Sequence, residues 1–99
     1  MPRFHVYENP EGDGFLIDVQ ANLLSHLNTR VVVPLMPVES GPKPAKVLNP
    51  VFEIMGRPHL MATQFIATVP RQMLHSEVLD LTDEMHLIVG ALDCLFQGI

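Results

Sequence analysis

Proline is concentrated in the middle of this sequence, and this concentration restricts the fold more than any other feature. Pro34, Pro37, Pro42, Pro44 and Pro50 all fall within one stretch of the chain. Proline lacks a backbone N–H donor and its ring clashes inside a helix, so this density is incompatible with a helix or a central strand. The sequence therefore predicts a long surface loop over residues 34–50, with regular structure on either side.

The segments before this loop have the pattern of short strands separated by turns. Apolar and β-branched runs alternate there with clusters of Pro, Gly, Asn and Asp. We expect residues 3–7 and 15–20 to pair as a hairpin through the turn at residues 8–14, and residues 22–28 to form a loop with one helical turn. Residues 29–34 are predicted to form the next strand, and its Val-Val-Val run indicates burial on both faces.

The segments after the loop predict one more hairpin and one helix. Residues 51–55 and 59–67 are expected to pair about Gly56 and Arg57, with the polar Thr63 and Gln64 at less buried positions. Thr82 is a suitable N-cap for a helix over residues 83–97. The apolar stripe of this helix would comprise Leu81, Met85, Ile88, Leu92, Leu95 and Ile99.

Length and composition limit the classes of function that remain. The chain has 99 residues with 47% hydrophobic and 17% charged side chains, which is enough for a single folded domain over residues 1–99. Its formal charge of −5 disfavours direct binding to nucleic acid. The start of the chain turns polar before an apolar signal core, and no apolar run is long enough to span a membrane. We therefore expect a cytoplasmic protein.

Side chains that carry chemistry do not form a recognisable catalytic or metal site in the sequence. The five histidines show no HxH or HExxH spacing, and the single Cys94 has no basic neighbour that would activate its thiol. Asp18 lies in an apolar strand, where it could act in catalysis, although a solvated face or a buried hydrogen bond to the backbone is the simpler interpretation. We expect no cofactor, no bound metal and no enzymatic activity.

Five segments, in their order and spacing, resemble the CcdB family of toxins. They are residues 15–20 (FLIDVQ), 29–35 (TRVVVPL), 67–70 (ATVP), 79–82 (LDLT) and 96–99 (FQGI). The resemblance covers nearly the whole chain and is weakest at residues 8–14 and in the proline-rich loop. It implies a mostly β, α+β fold, in which an SH3-like barrel or antiparallel sheet is followed by a long C-terminal helix. It also implies a homodimer.

The resemblance further implies a toxin of a type II toxin–antitoxin system. Such a toxin binds the DNA gyrase A subunit, traps the gyrase–DNA cleavage complex, and is neutralised by a CcdA-like antitoxin. Carried over position by position, the residues that would face gyrase are Leu23, Leu24, Asp93, Phe96, Gln97, Gly98 and Ile99. The family pattern has tryptophan at the position of Gln97 and asparagine at the position of Asp93.

Two alternative functions are compatible with the same fold. One is a MazF-type endoribonuclease, which would need basic side chains for phosphate binding and a placed acid and base. The other is a CcdB-like protein that binds an antitoxin but has lost gyrase poisoning.

Overall fold

A computed structural model describes residues 2–98 of the chain. Within this range the chain forms a mostly β structure of seven strands, followed by one α-helix. The strands are β1 (His5–Glu8), β2 (Phe15–Asp18), β3 (Thr29–Pro37), β4 (Val51–Ile54), β5 (Arg57–Met61), β6 (Ala67–Pro70) and β7 (Glu77–Asp80), and the helix is α1 (Met85–Gln97). The predicted fold class, a mostly β chain with a C-terminal helix, is confirmed.

All strand pairs are antiparallel, and β3 organises the sheet. The strand order is β4-β5-β3-β2-β1-β7, and β6 also pairs with β3. One edge of β3 pairs with β2, while the other edge pairs first with β6 and then with β5. Because β3 changes partner along its length, the sheet curls into a half-barrel, and the predicted hairpin of the first two strands is confirmed by the β1–β2 pairing.

Both faces of β3 contribute to buried clusters, as the Val-Val-Val run predicts. Val33 packs in the main core with Ile17 and with Ile88 of α1, whereas Val32 packs on the opposite face with Tyr7 and Leu16. Successive side chains of a strand point to opposite faces, so a continuous apolar run can supply both clusters. The main core therefore lies between the sheet and α1, with a smaller cluster behind the sheet.

The proline-rich segment differs from its prediction in one respect, because β3 continues to Pro37 instead of ending at Pro34. The residues of β3 that pair with β6 end at Val32, and those that pair with β5 begin at Leu35. Pro34 lies between these two sets, where neither β6 nor β5 needs a hydrogen bond from its backbone nitrogen. The loop proper begins after the turn at Val38–Ser40. It is anchored by the buried Asn49, whose Nδ2 donates to the Met61 carbonyl at 3.0 Å.

The second hairpin is confirmed, but its predicted second arm over residues 59–67 is wrong. The two turn residues are Met55 and Gly56, both with positive φ, and β5 ends at Met61. Residues 63–65 form a short 3-10 helix, in which Thr63 is buried, contrary to its predicted exposure, because its hydroxyl donates to the Leu48 carbonyl. β6 and β7 are separate strands, and β7 was not predicted.

The first strand and the helix both begin later than the sequence predicts. Phe4 has a φ of +72°, which is not compatible with a strand, so β1 begins at His5. Thr82–Glu84 form a 3-10 turn and α1 begins at Met85, with no side-chain cap from Thr82. Of the predicted apolar stripe, Leu81 and Ile88 are buried, Met85 is exposed, and Ile99 lies outside the described residues.

Candidate functional site

An apolar groove lies between the segment that follows β2 and the last turns of α1. Its volume is about 360 Å³, and it brings together side chains from five parts of the chain. The lining residues are Arg3, Val19, Gln20, Ala21, Leu24, Val31, Ile66, Leu92 and Phe96. We call this feature the Leu24–Phe96 groove, after the two lining residues that the family resemblance assigns to partner binding.

The predicted site residues fall into three groups in the structure. Leu24 and Phe96 line the groove, although they are far apart in sequence. Leu23, Gln97 and Gly98 are exposed but do not line it, while Asp93 is half-buried on α1 and also lies outside it. Ile99 lies outside the described residues. The structure therefore unites two of the seven predicted positions in one concave surface.

Two large apolar side chains at this site are strongly exposed. Leu23 is 86% exposed and Phe96 is 69% exposed. Gly98 ends the helix in the left-handed conformation with a φ of +73°, and its N–H donates to the Cys94 carbonyl at 3.0 Å. The helix end is thus a defined structure that presents an aromatic ring to solvent.

Gln20 fixes the loop that carries Leu23 and Leu24. Its Nε2 donates to the Leu24 carbonyl at 2.9 Å, and its Oε1 accepts from the Val31 N–H at 3.0 Å. Gln20 is itself buried, so one amide side chain links the loop to β3 on the inside of the groove. Sequence reasoning missed this role, because both partners of Gln20 are backbone groups that only the tertiary fold brings into reach.

A buried ion pair lies directly behind Gln20. Asp18 and Arg30 are both 0% exposed. Arg30 donates to Asp18 Oδ2 from Nε at 2.9 Å and from its terminal nitrogen at 2.8 Å. Asp18 Oδ1 accepts from the Gln20 backbone N–H at 3.0 Å, which confirms the interpretation of Asp18 as a buried group bonded to the backbone. Arg30 was not predicted as its partner.

Burial raises the pKa of Asp18, while the hydrogen bond from Gln20 and the charge of Arg30 act in the opposite direction. A raised carboxyl pKa can mark a catalytic acid. Asp18, however, is fully buried and engaged by Arg30 and the Gln20 amide, so a substrate would not reach it in this structure. The arrangement therefore positions the loop beside the groove and does not resemble an acid–base pair.

Arg3 completes the wall of the groove from the start of the chain. Its Nε donates to the Val19 carbonyl at 2.9 Å, and its backbone N–H donates to Asn22 Oδ1 at 2.8 Å. Its guanidinium lies 4.5 Å from the centroid of the Phe4 ring. Arg3 thus joins both ends of the segment that leads into the Leu23–Leu24 loop.

Other kinds of site receive little support from the described part of the chain. No group of three or more His, Cys, Asp or Glu side chains within residues 2–98 could hold a metal ion. Across the same residues, no helix has the length and apolar character needed to cross a membrane. Cys94 is half-buried on α1, and its thiol remains without an assigned role.

Comparison with known protein families agrees with the fold. The family model described as CcdB protein matches residues 3–98, which is nearly the whole chain. The matched range includes every strand, the helix and every residue that lines the Leu24–Phe96 groove. This chain belongs to the CcdB family, whose members are toxins of toxin–antitoxin systems.

Proposed function

We propose that this protein is a non-enzymatic toxin that binds the DNA gyrase A subunit and traps the gyrase–DNA cleavage complex. The observation that carries the proposal is the Leu24–Phe96 groove, with Leu23 and Phe96 exposed beside it. Exposed aromatic and aliphatic side chains around a concave surface are typical anchors of protein interfaces. Leu24 and Phe96 are positions that the family resemblance assigns to gyrase binding.

The hydrogen bonds of the four arginines favour this proposal over RNA cleavage. Each of the four arginines donates to an acceptor within the protein: Arg3 to the Val19 carbonyl, Arg30 to Asp18, Arg57 to Glu39 and Arg71 to the Ser25 carbonyl. A MazF-type ribonuclease would need basic groups that face the phosphates of its substrate. These hydrogen bonds support a toxin that acts through a protein surface over one that cleaves RNA.

We also propose a homodimer and neutralisation by a CcdA-like antitoxin in the cytoplasm. Ten large apolar side chains are exposed within residues 2–98, which favours partners that cover part of them. They are Leu23, Leu24, Leu27, Val47, Val51, Met55, Phe65, Met85, Leu87 and Phe96. Sedimentation analysis of the purified protein tests the dimer, and a titration with the product of a neighbouring antitoxin gene tests neutralisation.

The main proposal is tested with purified gyrase and two phenylalanine variants. The wild-type protein at micromolar concentration is expected to inhibit supercoiling and to increase the yield of cleaved DNA. Phe96→Ala removes an anchor of the groove and should weaken both effects by about tenfold or more. Phe65→Ala is the matched control, since Phe65 is also exposed, at 52%, but does not line the groove.

Three outcomes would contradict the proposal in different ways. Wild-type protein that neither inhibits gyrase nor increases cleavage would remove gyrase as the target. In that case, binding to the antitoxin would identify a CcdB-like protein that has lost poisoning. Cleavage of a bare RNA substrate would instead support the ribonuclease alternative. Equal effects of Phe96→Ala and Phe65→Ala would show that the Leu24–Phe96 groove is not the binding surface.

A further inference from the structure

The Leu23–Leu24 loop, which comprises residues 21–28, is exposed along its whole length. None of its side chains is buried, and Ser25 alone among them is half-buried. A loop of this kind gains little from apolar burial, so its conformation depends on hydrogen bonds to the rest of the protein. Because Leu23 and Leu24 belong to the proposed interface, the order of this loop affects how well a partner can bind to it.

The first half of the loop is held from the side of β2. The backbone N–H of Arg3 donates to Asn22 Oδ1 at 2.8 Å. The buried Gln20 donates from Nε2 to the Leu24 carbonyl at 2.9 Å. These two contacts do not reach residues 25–28, so the second half of the loop needs a support of its own.

Arg71, which directly follows β6, supplies this second support. Its guanidinium Nη1 donates to the Ser25 carbonyl at 3.1 Å, and its backbone N–H donates to the Asn28 carbonyl at 2.9 Å. The two acceptors are three residues apart, so one residue holds both ends of the second half of the loop. The side-chain contact joins positions that are 46 residues apart in the sequence.

The backbone at Arg71 is itself fixed to the interior of the protein. Arg71 begins the 3-10 turn Arg71–Met73, and its carbonyl accepts from the Leu74 N–H at 3.1 Å. Leu74 is buried and packs with Tyr7 and Val32 in the cluster behind the sheet. The guanidinium that holds the loop is therefore attached to a well-packed part of the molecule.

We propose that Arg71 positions the Leu23–Leu24 loop for binding to the gyrase A subunit, an inference that rests on the proposed function. Arg71 does not line the Leu24–Phe96 groove, so it acts through the loop and is a positioning residue. A loop that is ordered before binding loses less conformational entropy when a partner covers it. Unlike Arg30 and Arg57, Arg71 forms no ion pair within residues 2–98. Removal of its guanidinium therefore leaves no carboxylate without a partner.

The first experiment measures ¹⁵N relaxation in the free protein. Arg71→Met removes the donor to Ser25 and keeps the backbone hydrogen bond to Asn28. The order parameters of residues 23–27 should fall from values of rigid backbone, about 0.85, toward those of flexible segments, about 0.6. The midpoint of thermal unfolding should shift by less than about 4 °C, because the lost contact holds an exposed loop.

Two further variants separate the hydrogen bond from the charge. Arg71→Lys should restore most of the order of the loop, because an ammonium group can also donate to the Ser25 carbonyl. Arg57→Met is the matched control, since it removes the same charge and one arginine hydrogen bond, to the exposed Glu39. This control should leave the order parameters of residues 23–27 unchanged.

The second experiment measures the affinity of the same proteins for the gyrase A subunit. Arg71→Met should bind about fivefold more weakly, since gyrase must then order the loop. Arg71→Lys should bind within about twofold of the wild-type protein, and Arg57→Met should bind equally well. Arg71→Met combined with Leu23→Ala completes a double-mutant cycle. The combined loss should be smaller than the product of the two single losses, because both substitutions act through one loop.

Three results would overturn the proposal. The first is an unchanged set of order parameters in Arg71→Met, and the second is an equal loss of gyrase binding in Arg57→Met. The third is a full product of the losses of Arg71→Met and Leu23→Ala, which would indicate that Arg71 contacts gyrase independently of the loop. Wild-type protein that does not bind gyrase would overturn the proposed function and the role of Arg71 in recognition. A lower order of the loop in free Arg71→Met would then still show that Arg71 holds it, which distinguishes the two failures.

Discussion

The two sides of the Leu24–Phe96 groove differ in burial: the residues behind the loop are buried, and the residues at the end of α1 are exposed. Behind the loop, Asp18 and Arg30 are fully enclosed and satisfied by hydrogen bonds, and Gln20 connects them to the Leu24 carbonyl. At the end of α1, Phe96 is largely exposed, and its neighbours Gln97 and Gly98 are exposed as well. One wall is therefore fixed from the inside, whereas the other presents its side chains to solvent.

This contrast separates the free energy of folding from the free energy of binding. A buried ion pair is costly to break because the remaining charge stays in a medium of low polarity. An exposed ring contributes little to folding, but it can contribute strongly when a partner covers it. We expect substitutions behind the loop to act on stability, and substitutions at the helix end to act on recognition.

The largest effect is expected for Arg30→Met, which removes the cation and leaves Asp18 buried without it. Loss of one partner of a buried ion pair typically costs about 3–5 kcal/mol in the free energy of unfolding. Urea denaturation followed by circular dichroism measures this cost. The double variant Asp18→Leu with Arg30→Met should recover most of the stability, because it removes both charges. If Arg30→Met alone unfolds at the same urea concentration as the wild-type protein, the Asp18–Arg30 ion pair does not contribute to the free energy of unfolding.

Two glycines with positive φ, one in the first hairpin turn and one at the end of α1, extend the comparison between packed and exposed positions. Gly14 has a φ of +93°, and a Cβ added there would lie 2.4 Å from the Leu35 carbonyl oxygen. Gly98 has a φ of +73°, and a Cβ added there would have no neighbour within 4 Å. We expect Gly14→Ala to cost about 2–3 kcal/mol, from the backbone conformation and the clash together, and Gly98→Ala about 1 kcal/mol, from the conformation alone. Equal losses of stability in denaturation experiments would show that the clash at Gly14 is relieved.

Phe96→Ala should change stability by less than about 1 kcal/mol, because most of the ring is already in solvent. Ile88→Ala on the same helix is the contrasting variant, since Ile88 is fully buried and its truncation should cost about 2–5 kcal/mol. The midpoints of thermal unfolding give both values. A large loss for Phe96→Ala would mean that the ring belongs to the core or to a dimer interface that is needed for folding.

Much of this fold could be predicted from local sequence signals, whereas the site depended on tertiary pairing. The first hairpin and the helix follow from turn residues and from apolar residues at helical spacing. The pairing of Asp18 with Arg30 could not be predicted in this way. Asp18 lies opposite Val32 in the β2–β3 register, so Arg30, two residues earlier, lies diagonally across on the same face. Without that register, Asp18 and Arg30 are only two charged residues in apolar segments.

The same reason explains the error in the proline-rich segment. The sequence predicts that the strand ends at Pro34, because a central strand normally uses every backbone N–H in hydrogen bonds. Only the change of partner from β6 to β5 makes a proline acceptable there. The groove itself was partly predictable, since the exposure of Phe96 follows from its place at the end of the helix. Its proximity to Leu24 came only from the family resemblance and the fold.

The smallest predicted effect concerns Asp80, where the chain passes from β7 into the helix. Asp80 Oδ1 accepts from the backbone N–H of Thr82 at 2.8 Å and from its hydroxyl, and these bonds hold the pKa of Asp80 below its usual value of 3.8. A carboxyl group whose pKa is lower in the folded state stabilises the fold once it is ionised. This contribution is therefore complete above the ordinary pKa, and it is lost as the pH falls through the lowered one.

Asp80→Asn should reveal this dependence in thermal unfolding measured from about pH 2 to about pH 6. The wild-type protein should unfold at a higher temperature than the variant near pH 6, and the difference should shrink toward pH 2, where the carboxyl group is protonated. Asp83→Asn is the control, because the exposed side chain of Asp83 makes no hydrogen bond within residues 2–98, and this variant should give a smaller difference. If the difference in unfolding temperature between the wild-type protein and Asp80→Asn does not change with pH, the charge of the carboxylate does not stabilise the start of the helix. Asp80 would then act only as a hydrogen-bond acceptor, which asparagine can replace.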